Sequence, residues 1–494
     1  MKQIEALPHV QVEGMKLPEA LQLTEVRVTQ RLDAPAQCEL SWRLGGLDHG
    51  ILESIPLDPG ATLSLVIEGQ SRTLFTGEVT SVEHAHDPAG GFSLRARAYD
   101  DLIRLQRHQS LNTHVEVTTA ELARTLAGEA GLSATARVNG PLWPRIMPRF
   151  DHDLALLRHY CQRSGLHFIF QDGGLHLFPP DHAEDTPLEL VLGDRLFEAR
   201  IERNRAQPVG SVHVFGWDPH TGETRRVRAG GGSSVERALL GQTAESDDEA
   251  EALAGASQNR YQAKSHVFWG VASGNTSLAP GCRIHPRGLA ADQGGPYRLT
   301  TVVHSIAPAS GYICELDTRP EPWQTDTTSR VPGLVLGDVC DVDDPADCGR
   351  VQVTLHSYNE ALSPWLLVLQ SGAGTKKGLV ALPEVGDQVL VGLPDGDPSR
   401  GIVLGGVYAS EGPPRDPESA RSNSAHRPYT LTTRGGQRIE LNDADGSIRF
   451  GNADGSYLAM TPDGITLHAL GNLTLEAPGH RLTLGSNEID MEQR

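Results

Sequence analysis

The chain has 494 residues, 38% of them apolar and only 5% aromatic, with 53 glycines and 32 prolines. It carries 63 acidic against 43 basic side chains, a net charge of −20. That balance argues against nucleic acid as a partner, because phosphate-backbone binding needs clustered Lys and Arg.

The length predicts about three domains. Abundant Gly and Pro with few aromatics predict a mainly β fold of short strands joined by tight turns. Cys38, Cys161, Cys282, Cys314, Cys340 and Cys348 show no C-x-x-C spacing, so neither a disulfide framework nor a zinc knuckle is expected. Free thiols, mostly buried and made in a reducing cytosol, are the expectation. The opening MKQIEALPHV lacks the apolar run of a signal peptide. No stretch approaches the roughly 18 apolar residues of a membrane-spanning helix.

Residues 1–110 read as strands: LQLTEVRVTQRL, ATLSLVIEG, RTLFTGEVTSVEHA and GFSLRARAYD alternate with period two, which means one buried and one wet face. TTAELARTLAGEAG then changes period. Thr118 and Glu121 have capping-box spacing, Leu122 and Leu126 lie one turn apart, and Gly131 is a fitting stop. DLALLRHYCQRSG predicts a second helix with Asp153 as N-cap, Leu154, Leu157 and Cys161 on one face, and Gly165 at its end. LHFIFQDGGLHLFP predicts a hairpin turning at Asp-Gly-Gly.

Strands return over 197–228, and residues 245–264 predict a third helix whose acidic start suits the helix dipole. More strands follow through YRLTTVVHSIAP and GYICELDTRP, then an expected linker over 320–333. PGLVLGDVCDV, GRVQVTL, WLLVLQSG, GLVAL, DQVLVGLP and GIVLGGVY give five or six short strands over 331–408, suited to a small Greek-key barrel of the OB type. ASEGPPRDPESARSNSAHRPY reads as a second linker.

The tail repeats. Apolar pairs recur as Ile439/Leu441, Ile448/Phe450, Leu458/Met460, Ile465/Leu467, Leu473/Leu475, Leu482/Leu484 and Ile489/Met491, with Gly, Asn and Asp between them. The step is about eight residues, a strand of about three plus a turn. One copy makes only a thin solenoid; three copies wound together would bury the pairs on a common axis.

The order of strand-rich hub, small barrel and β-repeat resembles the spike of contractile injection machines. These are the VgrG proteins of type VI secretion, the hub-plus-spike of contractile-tailed phages and the VgrG-related spikes of extracellular injection systems. The segment GRVQVTL…SPWLLVLQSGAGTKKGLVALPEVGDQVLVGLPDGDPSRGIVLGGVY is similar to the spike OB domain almost throughout. LFTGEVTSVEH, RARAYDDLIRLQR, FDHDLALLRHYCQRSGLHFIF and APGCRIHP…YRLTTVVHSI resemble the hub of late-control-D type.

The resemblance implies a hub of two β-barrel subdomains with helices over 1–325, an OB-fold collar over 331–410 and an intertwined triple-stranded β-helix over 425–494. It implies a homotrimer whose six barrels sit on a hexameric inner tube. Its partners would be tube and baseplate proteins, a PAAR-type tip protein and, on firing, the target membrane. Such a chain would be assembled in the bacterial cytoplasm and work in an injection particle, extracellular or delivered on firing. The short repeat and the lack of a lysozyme insertion imply a structural protein with no enzymatic activity and no cofactor. A spike-borne cell-wall hydrolase is the alternative, and a glycan-binding adhesin another; with only Phe450 and Tyr457 aromatic within the repeat, platforms for sugars are scarce.

Other segments carry candidate sites. LPDGDPSRG places Asp395, Asp397 and Arg400 close together; Gly396 and Pro398 account for it as a turn, with a cation site as the alternative. SGAGTKKG hints at a phosphate loop, but Gly374 is followed by Thr375 and then by an apolar strand. His84 and His86 share a strand face at metal-compatible spacing, without a third ligand nearby. Asp151 and Asp153 fit helix capping better than acid–base work. His468 or His480 could bind an axial metal in a trimer. Catalytic, cofactor and metal residues are therefore expected to be absent.

Overall fold

The computed structural model describes residues 8–16, 23–44, 57–70, 72–86, 92–181, 186–204, 209–218, 223–231, 235–239, 246–290, 293, 295–322, 333–408 and 428–492. Two units emerge, residues 1–405 and 406–494. The expected linkers over 320–333 and 409–429 lie largely outside the described residues.

The N-terminal region, expected as the hub, is built on one 11-stranded sheet. From edge to edge it runs Leu196–Arg203, His266–Ser273, Gly311–Asp317, Thr301–Ala307, Leu23–Arg31, Gln37–Leu44, Phe92–Tyr99, Phe75–His86, Thr62–Ile67, Pro8–Val12 and Met15–Lys16. The strand groups expected as two barrels meet through antiparallel pairing of Thr301–Ala307 with Leu23–Arg31, Val303 opposite Thr29 and Ser305 opposite Arg27. One core serves both groups: Val26, Val28, Leu40, Trp42, Leu63 and Leu65 of the first pack with Phe268, Leu299 and Leu316 of the second. Period-two alternation produces this directly, since every second side chain of Leu23–Arg31 and Thr62–Ile67 points inward.

A helical layer follows. The short helix Arg104–Arg107 leads to the strand His114–Thr118 and the helix Thr119–Glu129. The Thr118 hydroxyl accepts from the Glu121 N–H, and the Glu121 carboxylate accepts from the Thr118 N–H at 2.9 Å, a complete capping box. Gly131, at φ +72°, ends the turn. The helix Asp153–Ser164 is capped by His152, whose Nδ1 accepts from the Ala155 N–H at 3.1 Å. The cap expected at Asp153 is therefore displaced by one residue, because Asp153 is buried and accepts the Ser110 N–H at 2.7 Å. Leu122, Leu126, Trp143, Leu157, Cys161 and Phe168 form this layer's own core.

The strands His167–Gln171 and Gly174–Phe178 pair around Asp172 and Gly173, both at positive φ (51° and 79°). That is the type I′ geometry a two-residue hairpin favours. Asp33 ties the sheet to this layer. Its carboxylate accepts the Phe168 N–H at 2.8 Å and meets His167 Nδ1 at 2.7 Å, while Arg158 donates to its carbonyl. The third helix, Asp247–Ser265, starts from Ser246.

The OB barrel orders its strands Ala361–Leu362, Gln352–Leu355, Gly333–Asp341, Gln388–Leu393, Ile402–Gly406 and Leu367–Val368. Val339, Val351, Val353, Leu366, Val389, Val391 and Val403 fill it, joined by Met147 from the hub. GLVAL, expected as a strand, is not one: Leu379, Val380 and Leu382 are exposed. The Gln370 side chain occupies the backbone of Ala381 instead, accepting its N–H and donating to its carbonyl. Among the described residues, no helix is long and apolar enough to cross a membrane.

Candidate functional site: an uncovered apolar face and a buried charge seam

In the second unit, Tyr429–Thr432, Arg438–Asn442, Ser447–Gly451, Tyr457–Thr461 and Gly464–His468 form an antiparallel meander in chain order. Within one chain the repeat is therefore a meander, not a coil, and the four strands carrying apolar pairs are five residues long where about three were expected. Turns rich in Asn, Asp and Gly allow this; Gly446 and Gly455 take positive φ between strands.

The register collects the apolar pairs. Ile439 faces Phe450 and Leu441 faces Ile448. Ile448 faces Met460 and Phe450 faces Leu458. Leu458 faces Leu467 and Met460 faces Ile465. Tyr429 and Leu431 extend the row opposite Leu441 and Ile439. Cross-strand partners and i, i+2 neighbours share a face, so all these side chains line one side. The other side is polar: Arg438 meets Glu440 at 3.0 Å, and Tyr457 lies between Arg449 and a stacked His468.

No described residue of this unit from 428 to 492 is buried. Ile465, which ought to be core, is 72% exposed. Leu473, Leu475, Leu482, Leu484, Ile489 and Met491 fall beyond the last strand and are exposed as well.

The acidic turn of the OB barrel lies against the hub. Pro394–Gly396 and Pro398–Arg400 are single 3-10 turns. Asp397 accepts the Ser399 N–H at 3.0 Å and the Ser399 hydroxyl at 2.7 Å. Arg149 stands 3.7 Å from its carboxylate and the Arg400 Nε 4.0 Å. Burial alone raises the Asp397 pKa; Arg149, Arg400 and the Ser399 bonds overcome this and hold it down at about 2.

Arg400 also donates to Glu249 at 3.2 Å, and Arg163 donates to the same carboxylate. Glu249 is 1% exposed. Behind it, Arg149 donates to His159 Nε2 at 3.1 Å; burial, then Arg149 and Arg163, push the His159 pKa well below its usual value, which keeps the ring neutral. The turn is thus a fastening between barrel and hub. The Asp395 side chain lies outside the described residues.

The remaining candidates separate. His84 and His86 lie on one exposed face of Phe75–His86. Asp151 is exposed while Asp153 is buried, so they form no carboxylate pair. In SGAGTKKG, Gly374 and Lys377 exchange both backbone hydrogen bonds, closing a tight turn with no helix behind it. His468 lies on the polar side of its sheet, opposite the apolar row. His480 sits in an exposed turn, donating its N–H to the Ala477 carbonyl.

Glu249 was missed by reasoning from sequence, which assigned the acidic start of its helix to the dipole. The signal was its place three residues after the N-cap Ser246, in a helix already supplied with Asp247 and Asp248.

Comparison with known proteins places these parts. Residues 5–260 match the family model of the Alg8 N-terminal domain. Residues 335–408 match the type VI secretion system/phage-baseplate injector OB domain. The type VI secretion system spike protein VgrG1c of Pseudomonas aeruginosa is 40% identical over 68 residues, 13% of this chain and 9% of its own length. VgrG3 of Vibrio cholerae is 32% identical over 105 residues, 20% of this chain and 10% of its own length. The matched span is thus only about a tenth of these curated relatives.

Among solved structures, the E. coli c3393 protein is a type VI secretion component with structural similarity to the phage T4 tail proteins gp27 and gp5. It aligns with a TM-score of 0.55 over 81% of this chain and 99% of its own, at 13% identity. The Francisella PdpA–VgrG complex aligns with a TM-score of 0.58 over 93% of this chain and 87% of the matched one, at 10% identity. These two likenesses are of fold. With a family model spanning more than half its length, the chain belongs to the Alg8 N-terminal-domain family, and it carries a type VI secretion system/phage-baseplate injector OB domain behind that region.

Proposed function

We propose that this chain is the trimeric central spike and baseplate hub of a contractile injection system, a structural protein and not an enzyme. In this reading residues 1–325 form the hub, 331–410 the OB collar and 425–494 the spike. The hub contacts the inner tube and baseplate proteins, the spike end carries a PAAR-type tip protein, and the assembly meets the target membrane on firing. The particle is loaded in the cytoplasm and acts outside it.

The observation that carries the reading is the uncovered apolar face from Tyr429 to Leu467. A sheet with one apolar face and no second layer is not stable in water. Three copies turning these faces inward would remove them from solvent, a gain on the order of 10 kcal/mol per chain. The pairs Leu473/Leu475, Leu482/Leu484 and Ile489/Met491 would continue the axis.

Light scattering tests it. Three chains of 53.2 kDa give about 160 kDa. The full chain should have that mass, and a version ending at Ser419 should dissociate or loosen. A stable full-length monomer would overturn the reading.

A further inference from the structure

We infer that the helical layer of the hub holds a divalent transition-metal ion of the zinc class, bound by His108, Glu129 and Asp153. The site does not rest on the trimeric reading.

The three donors come from three different elements. His108 directly follows the helix Arg104–Arg107, Glu129 is the last residue of Thr119–Glu129, and Asp153 is the first of Asp153–Ser164. One donor atom from each lies within 4.8 Å of the other two. Tetrahedral ligands at zinc distances stand roughly 3.3 Å from one another, so closing on an ion takes at most about 1.5 Å of movement. His108 and Glu129 are exposed and Asp153 is buried, so the site opens to solvent on one side and is anchored on the other.

The carboxylates are already oriented. Asp153 Oδ1 accepts the Ser110 N–H at 2.7 Å, leaving Oδ2 against His108 Nδ1 at 2.5 Å. Glu129 Oε1 accepts from Asn112 Nδ2 at 3.1 Å. Metal sites commonly hold their ligands with such outer bonds. Glu129 also ends its helix, where the dipole disfavours an anion unless a cation stands close.

His114 lies near the group, where Glu129 and Asp153 both act on it electrostatically. It is only 9% exposed, and its Nε2 is buried without a hydrogen-bond partner. An orphaned buried imidazole nitrogen is costly. An imidazole with two carboxylates suits zinc-class ions, whereas calcium and magnesium take oxygen ligands throughout. Three protein donors would join three segments of the layer and leave the fourth position, on the exposed side, to water.

The test uses the full chain, stripped with a chelator and titrated with Zn²⁺ by calorimetry and with Co²⁺ by visible absorption. We expect one ion per chain, the strong Co²⁺ absorption of a tetrahedral site, and a rise in Tm with Zn²⁺. His108→Ala and Glu129→Gln alter exposed side chains; each should weaken Zn²⁺ binding at least tenfold, with circular dichroism and solution mass unchanged. A His84→Ala/His86→Ala double variant should bind as the parent does. Absence of binding, binding indifferent to both single variants, or binding lost in the double variant would overturn the inference.

Discussion

Arg400 of the OB barrel donates to Glu249 of the hub at 3.2 Å, joining residues 151 positions apart. The carboxylate it reaches is almost fully buried and also holds Arg163. The barrel and hub are therefore one cooperative body, and Met147 of the hub seated in the barrel core adds an apolar contact.

Removing one partner of this buried network should be expensive. Glu249→Ala leaves Arg163 and Arg400 facing each other without their shared anion, a loss of about 3–5 kcal/mol. Chemical denaturation should show a lower midpoint, and limited proteolysis should cut between hub and barrel. An unchanged midpoint would mean solvent reaches the seam.

Acid should loosen the same seam, and the direction follows from two groups. Asp397 is held at about 2, below its unfolded value, so it contributes stability above pH ~4 that is lost as pH falls toward 2, about 2 kcal/mol in all. His159 is buried neutral, with its folded pKa below the unfolded one near 6.5. Its contribution is complete above that pH and declines below it. Thermal melts from pH 7 to pH 3 should show a falling Tm, and Asp397→Asn should flatten the lower part of the profile.

The two sides of the C-terminal sheet should respond oppositely to charge. Leu458→Asp puts a carboxylate into the apolar row and should abolish trimers, lowering the solution mass from about 160 kDa toward 53.2 kDa. Thr466→Asp lies on the polar side and should leave the mass unchanged. Equal sensitivity of both would show that this face is not the interface.

Thr118→Ala removes the hydroxyl half of the capping box on Thr119–Glu129. The expected loss is about 1 kcal/mol of stability, with the solution mass unaffected. Hydrogen exchange should speed up in the first turn of that helix and nowhere else.

What could be read from the sequence was local. The capping box at Thr118 and Glu121, the Asp172-Gly173 hairpin and the Gly165 stop each involve residues a few positions apart. The tail face was legible for the same reason, since a fixed step and i, i+2 spacing determine which side chains share a side. The pairing of Thr301–Ala307 with Leu23–Arg31 was not, because it joins segments some 270 residues apart that carry no mark of each other. GLVAL misled because an apolar run does not say whether a strand edge is available to receive it. The His108, Glu129 and Asp153 group was invisible too, its members scattered over 46 positions and only made neighbours by helix packing.

The interior position of Gly311–Asp317, third from one edge of the hub sheet, has a mechanical result. This strand lies between His266–Ser273 and Thr301–Ala307, and it is the last element before the chain continues toward the OB barrel. Hydrogen bonds in an antiparallel ladder run perpendicular to the strands. Tension along the chain at residue 318 therefore shears two ladders at once, whereas an edge strand could be peeled away one bond at a time. The connection resists pulling because the sheet grips its last strand from both sides.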